Sequence, residues 1–333
     1  MRTWHVEELG EPSDVMQLVD SPAQSSGPGQ VLVDVKAVGV SFPELLTIRG
    51  GYQVKPPLPF TPGNEIAGVV AGLGEGVDSL SVGDRVTWMG SGGLAEQVVA
   101  PAAACFTLPE GMPMAKGCCL ILNYGTTVFA LDNRAKLQAG ETMLVTAAAG
   151  GVGSAAIQVG KAIGANVIGL AGGPEKVATV YELGADAAFD YKEVDVVEAV
   201  RAATDGRGVD VVYEAVGGDI FQQVRRTVAW DGRLLIIGFT SGTIPDAPMN
   251  HALLKNYSIV GVHWGAWLGR DPGNLRQNWD RIVELAGTGH IDPLISSVRP
   301  FEDAAQALSD LGNRKTVGKV VIEPSPGSAE LAV

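Results

Sequence analysis

The sequence predicts an α/β protein, a doubly wound parallel sheet of six strands joined to a second, β-rich region. Three observations carry this expectation. Short apolar runs recur through the middle of the chain, their starts about 20–25 residues apart, the length of a strand plus a helical crossover. A glycine-rich turn, Ala147-Ala148-Ala149-Gly150-Gly151-Val152-Gly153, stands between the first of those runs and the first helical pattern. The residues ahead of it instead mix strand-like runs with Pro and Gly punctuation.

Residues 31–38 and 65–70 read as strands. Turn chemistry separates them, in Ser26-Gly27-Pro28-Gly29, Lys55-Pro56-Pro57-Leu58-Pro59, Thr61-Pro62-Gly63 and Val82-Gly83-Asp84. A helical pattern follows over 118–131. The six apolar runs are 143–145, 166–170, 187–189, 209–213, 234–237 and 258–262. Helical segments such as 154–163 and 175–183 fill the gaps, as βαβ units require. A helix over 274–286, a short helix over 301–311 and a strand over 319–322 close the chain, and the tail from Pro324 reads as frayed. No self-similar motif accompanies the regular spacing.

Length and composition bound the function. The chain has 333 residues, 46% of them hydrophobic and 18% charged, enough to build cores and to exclude general disorder. Two domains are expected, 121–263 in one, and 1–120 with 264–333 in the other. Lys plus Arg is 24 against 37 Asp plus Glu, a net charge of −13, which argues against nucleic acid as a main partner. The first residues carry acids where a signal peptide needs an apolar run, and no stretch approaches a membrane span. Three cysteines form no spaced disulfide framework, so a cytoplasmic protein with no membrane partner is expected.

The glycine-rich turn sits where a dinucleotide fold binds phosphate. Gly150 lets the backbone approach a pyrophosphate, and Gly153 lets the helix pack tightly on the strand. A helix starting near Val152 aims free N–H groups at the anion, and Gly151 belongs to the same cofactor-binding turn. Ala148 occupies the place of the first glycine in the common GxGxxG pattern. The second strand ends Gly169-Leu170-Ala171-Gly172-Gly173-Pro174, without the carboxylate that accepts from an NAD ribose. Lys176 follows, so NADPH is the expected cofactor.

Further motifs carry a family resemblance. They are Val40-Ser41-Phe42-Pro43-Glu44-Leu45-Leu46-Thr47-Ile48-Arg49-Gly50-Gly51-Tyr52, Thr61-Pro62-Gly63-Asn64-Glu65-Ile66-Ala67-Gly68-Val69-Val70, Val82-Gly83-Asp84-Arg85-Val86 and Arg314-Lys315-Thr316-Val317-Gly318-Lys319-Val320. With the glycine-rich turn, they resemble the medium-chain dehydrogenase/reductase superfamily over roughly residues 1–323. Within it the chain resembles the zinc-independent, zeta-crystallin-like NADPH:quinone oxidoreductases. That resemblance implies a Rossmann domain and a GroES-like catalytic domain.

The resemblance also implies site residues. Zinc enzymes of the superfamily take Cys and His where this chain has Ser41 and Asn64, which are poor zinc ligands. Their structural zinc uses four cysteines, one more than the chain contains, so no metal is expected. Gly173, Lys176, Tyr191 and Arg314 match positions that hold a 2′-phosphate. Thr127, Gly238, Phe239, His263 and Trp264 match positions near the nicotinamide. Ser41, Tyr52 and Asn64 are expected to face it in a cleft between the domains, Tyr52 donating to the acceptor oxygen. Reductases of this kind often carry Asn where Ser41 stands.

The expected function is hydride transfer from NADPH to a quinone. Reduction of a carbon–carbon double bond in an alkenal, enone or acyl thioester is the alternative on the same scaffold, and a catalytically idle NADPH-binding protein is the alternative of another class. A homodimer pairing through the sixth strand is expected, because an apolar sheet edge invites a partner.

Overall fold

The computed structural model describes residues 1–271 and 273–329. The chain divides into two compact units, Met1–Leu122 with Pro293–Val333, and Asn123–Asp292.

The first unit is built on a mixed sheet. Its strand order is Ile295–Pro300, Lys319–Glu323, Gln30–Gly39, Glu65–Leu73, Arg85–Met89 and Cys105–Thr107, with Gln97–Pro101 also paired to Gln30–Gly39. The long strand Gln30–Gly39 places Val31, Val33 and Val35 on one buried face, as period-two alternation dictates. Leu45, Ile48, Ile66, Val86, Phe301, Leu308 and Ile322 complete that core. Each such side chain contributes about 1.5–3 kcal/mol on burial. The strands expected at 31–38, 65–70 and 319–322 are all present. A further hairpin-like pair, Arg2–Val6 with Met16–Asp20, adds a small sheet.

The second unit is a six-stranded sheet, parallel at every pairing. Its order is Ala187–Asp190, Asn166–Ala171, Thr142–Val145, Val209–Glu214, Val228–Ile236 and Ser258–Gly261. In chain order this reads third, second, first, fourth, fifth, sixth, so the winding reverses between Thr142–Val145 and Val209–Glu214. Ligands of open α/β sheets bind outside the carboxyl ends of the strands at such a reversal. The doubly wound expectation is borne out strand by strand. The fifth strand starts earlier than its apolar run, at Val228. It passes through Asp231 at φ 61° and a register shift against Val209–Glu214 before the apolar stretch begins.

Two details differ from the sequence reading. Residues 264–292, expected with the first region, lie in the second unit. The cause is packing: Asn278 donates to the Gly125 carbonyl at 3.2 Å, and Arg281 pairs with Asp132 at 3.1 Å. The helical run Met114–Ala135 is long and apolar enough to cross a membrane, and 83% of its apolar window is buried inside the protein. It is broken by two π-helical turns, Leu120–Tyr124 and Phe129–Ala135, a feature often found near functional sites.

Candidate active site

The carboxyl end of the second unit's sheet assembles the nucleotide-type features. Gly150 caps the helix Gly151–Ile163, whose first intrahelical bond runs from Ser154 N–H to the Gly150 carbonyl at 2.8 Å. The N–H groups of Gly151, Val152 and Gly153 therefore have no acceptor within the helix, and they sit at its positive dipole end. A Cβ on Gly153 would lie 2.1 Å from the Ala147 carbonyl oxygen, so only glycine permits this helix start. Ala147 itself is held at φ 49°. Ala148 is buried and donates to the Leu170 carbonyl at 3.0 Å, locking the turn to the second strand. These groups fit a pyrophosphate.

The second strand's exit supplies the expected 2′-phosphate residues. Gly173 has φ 97° and caps the helix Pro174–Glu182, on which Lys176 occupies the first turn. A Cβ on Gly172 would lie 2.7 Å from the Tyr191 hydroxyl, so the tyrosine lies over Gly172. Asp190 accepts from the Gly173 and Lys192 N–H groups at 2.9 and 3.0 Å. The Gly173 amide is thus already engaged, and Gly173 contributes its conformation and lack of a side chain. Arg314 belongs to the first unit, at φ 59° just past the helix Ala304–Gly312.

At the sheet reversal, Glu214 was not singled out by sequence. It is fully buried and accepts from the Val216 and Gly217 N–H groups at 2.8 and 3.0 Å. Thr146 donates to it at 3.3 Å and accepts from Ala215 N–H at 2.9 Å, which ties the exits of the first and fourth strands together. Burial pushes the Glu214 carboxyl above its ordinary range, against the pull of these donors. The Phe239 ring packs beside Gly217 in the same region, and Gly238 precedes it at the fifth strand's exit. Thr127 is fully buried, its hydroxyl 3.1 Å from that of Tyr213. Trp264 is buried against Gly125, while its neighbour His263 is exposed.

In the first unit, Ser41, Asn64 and Tyr52 are carried by separate segments. Ser41 is the N-cap of the helix Phe42–Ile48. Its hydroxyl is buried and makes no hydrogen bond among the described residues. Tyr52 follows that helix, its N–H bonded to the Leu46 carbonyl at 3.2 Å. The tyrosine is half-buried, and burial raises its pKa, which keeps the phenol protonated as a donor. Asn64 precedes the strand Glu65–Leu73, and its carbonyl accepts from Gly90 N–H at 3.0 Å.

Three buried charges sit beside Ser41 and Asn64, and sequence reasoning passed over all of them. Lys319 Nζ donates to the Val40 carbonyl and to Glu65 Oε1, both at 2.5 Å. Burial works against the Lys319 ammonium, but the Glu65 carboxylate holds its pKa above the usual lysine value. A Cβ on Gly39 would lie 2.6 Å from Glu65 Oε1, so the carboxylate needs that glycine. Glu44 accepts from the Gly63 N–H, and burial pushes its carboxyl up to about 7. The Ser-x-x-Glu spacing of Ser41 and Glu44 was a legible signal of a helix start.

Among the described residues, no group of three or more His, Cys, Asp or Glu side chains is arranged to hold a metal ion. Ser41 and Asn64 supply no thiolate or imidazole, so the side chains here do not fit zinc.

Comparison with known proteins agrees with this arrangement. Residues 27–110 match the alcohol dehydrogenase GroES-like domain family, and residues 151–286 match the zinc-binding dehydrogenase family. The chain is 41% identical over 319 residues to the quinone oxidoreductase-like protein 2 homolog of Nematostella vectensis, covering 95% of this chain and 87% of the relative. It is similar to the quinone oxidoreductase of Thermus thermophilus, solved with its NADPH complex, at a TM-score of 0.83 and 33% identity over 97% of this chain and 100% of that one. It is also similar to the CurK enoyl reductase, at a TM-score of 0.87 and 26% identity over 97% and 98% of the two chains. With its six-stranded parallel sheet, its glycine-rich helix start and its mixed β-sheet unit, the chain belongs to the medium-chain dehydrogenase/reductase superfamily, in the quinone oxidoreductase-like branch.

Proposed function

We propose that the protein is an NADPH-dependent oxidoreductase that reduces quinones without a metal ion. The observation that carries the cofactor is the second strand's exit. That strand ends in Gly172 and Gly173 with no carboxylate, Tyr191 lies over Gly172, and Lys176 stands in the following helical turn. A carboxylate at the strand's own end would accept from a free 2′-hydroxyl and repel a 2′-phosphate, whereas a cation attracts the phosphate; the neighbouring Asp190 carboxylate is engaged by the Gly173 and Lys192 N–H groups. Arg314 is the further cation of the reading. The NADPH complex of the Thermus relative supports the same cofactor.

When bound, NADPH supplies a hydride. The Gly151, Val152 and Gly153 N–H groups bind the pyrophosphate and fix its depth. Thr127, Gly238, Phe239, His263 and Trp264 border the nicotinamide in this reading. Tyr52 donates its phenolic proton in a hydrogen bond to the acceptor oxygen and stabilises the charge that develops there. Ser41 offers its otherwise unpartnered hydroxyl to the same oxygen. Asn64 supplies an amide donor.

A second reading is reduction of an activated carbon–carbon double bond. It is favoured by Ser41, which replaces the amide common in quinone reductases, and by the similarity to an enoyl reductase. Steady-state rates with phenanthrenequinone and with 2-alkenals under NADPH separate the two. Quinone rates well above the alkenal rates are expected, and background quinone rates would sink the first reading.

The sixth strand supports a homodimer. Ser258–Gly261 is paired on one side only, and Met249, Leu253 and Leu254 on the adjoining helix are largely exposed, as is Ile244. A second copy pairing edge to edge would cover them. Light scattering should give twice the chain mass, and a monomeric mass would refute the pairing. Three free cysteines, all buried, suit a reducing cytoplasmic setting.

A further inference from the structure

We propose that Glu44, Glu65 and Lys319 are positioning residues for Ser41 and Asn64, and that the charge on Glu44 sets how firmly both are held. This rests on the reading that Ser41 and Asn64 meet the acceptor.

The geometry is a bracket around each candidate residue. Lys319 Nζ grips the carbonyl of Val40, the residue before Ser41, at 2.5 Å. It also grips Glu65, the residue after Asn64, at 2.5 Å. Glu44, on the helix that Ser41 caps, ties that helix to the other side of Asn64. Its carboxyl takes the N–H of Gly63, the residue before Asn64. One lysine and two carboxylates therefore hold the residues on either side of Asn64 and the carbonyl just before Ser41. All three are at most 5% exposed.

The helix start explains why Ser41 is left available. Ser41 at the N-cap and Glu44 at the third helical position form the Ser-x-x-Glu capping box. The serine half of the box is not made: the Ser41 hydroxyl does not cap the helix, and Glu44 Oε1 is taken by the Gly63 N–H. That hydroxyl is buried with no partner among the described residues. A buried donor left unmade costs free energy, so its retention points to a partner supplied from outside the chain.

Glu44 makes the bracket sensitive to charge. As a carboxylate it accepts the Gly63 N–H with charge assistance, whereas as an acid it holds that bond more weakly. The charged groups facing it are Lys319, which favours the carboxylate, and Glu65, which opposes it. Cys118 and Cys119 lie beside Lys319, and burial keeps the Cys118 thiol neutral. Burial outweighs the donors, so Glu44 changes charge at about 7.

The test is kcat and KM for phenanthrenequinone on either side of pH 7, for wild type, Glu44→Gln, Ser41→Ala and Asn64→Ala, with NADPH affinity followed by fluorescence. Wild-type kcat/KM should fall about threefold to tenfold as pH drops through about 7, while NADPH affinity stays flat. Glu44→Gln should lose that titration and sit near the low-pH wild-type value. A Glu44→Gln profile that still follows wild type overturns the proposal while Ser41→Ala and Asn64→Ala remain impaired. Unchanged acceptor kinetics in Ser41→Ala and Asn64→Ala overturn the underlying reading, and the proposal with it. If Glu44→Gln does not fold, the wild-type profile decides alone, and a flat one overturns the proposal.

Discussion

Replacing Gly153 by alanine should weaken NADPH binding as well as the fold. The added Cβ would lie 2.1 Å from the Ala147 carbonyl oxygen and 2.8 Å from Ala148 Cα. These neighbours are backbone atoms, so no side chain can swing away. Carbon and oxygen in contact prefer roughly 3.3 Å, so the helix start must retreat by about 1 Å. Overpacking of this kind costs typically about 1–3 kcal/mol of stability. The same retreat draws the Gly151, Val152 and Gly153 N–H groups off the phosphate. Hydrogen bonds to a charged group contribute about 1.5–3 kcal/mol each, so losing one predicts roughly tenfold to hundredfold weaker binding. Fluorescence titration with NADPH measures this, with circular dichroism as the folding check. Gly287→Ala is the control, since a Cβ there meets nothing within 4 Å. A folded Gly153→Ala protein with wild-type affinity would refute the phosphate assignment.

Other expectations follow from the same geometry. Tyr52→Phe should lower kcat/KM for quinone by about tenfold or more and leave NADPH affinity intact, as steady-state kinetics and titration will show. Lys319→Met strands the buried Glu65 carboxylate and should cost about 3–5 kcal/mol in denaturant unfolding, with the loss reduced in Lys319→Met/Glu65→Leu. Glu44 ionises at about 7 in the folded chain against 4.5 as the ordinary value, a gap equivalent to about 3 kcal/mol. The folded state holds that proton more tightly, so this stability is present below pH 4.5 and is lost as pH rises through about 7. Unfolding of Glu44→Gln should lack this dependence. NADPH should bind more tightly than NADH, and equal dissociation constants would contradict the assignment of Lys176, Tyr191 and Arg314.

The sequence carried the second unit well because each strand there is a short continuous apolar run between turn signals. Such runs are what a sheet covered on both faces demands. The phosphate turn was legible for the same local reason: Gly153 is required by a clash five to six residues away. Features set by distant contacts were not legible. Lys319 reads as an ordinary strand-end lysine until its partners at Val40 and Glu65, more than 250 positions earlier, come into view. Glu214 likewise reads as a strand-end acid, and only the fold shows it holding the Gly217 turn. The helix Gly273–Gly287 was assigned to the wrong neighbourhood by chain order, and its place follows from Asn278 and Arg281. Gly173 matches a phosphate-holding position, and only the fold shows that its N–H is taken by Asp190 from the neighbouring strand.

Hydride transfer to a quinone without a metal is tested most directly in a single turnover. Protein stripped with a chelator, with zinc content checked by elemental analysis, is loaded with NADPH deuterated at C4 and mixed anaerobically with phenanthrenequinone. One NADPH oxidised per quinone reduced, slowed by the deuterium and undiminished by chelation, is the expected result. No NADPH oxidation above the protein-free control, or activity that returns only with added zinc, would contradict it.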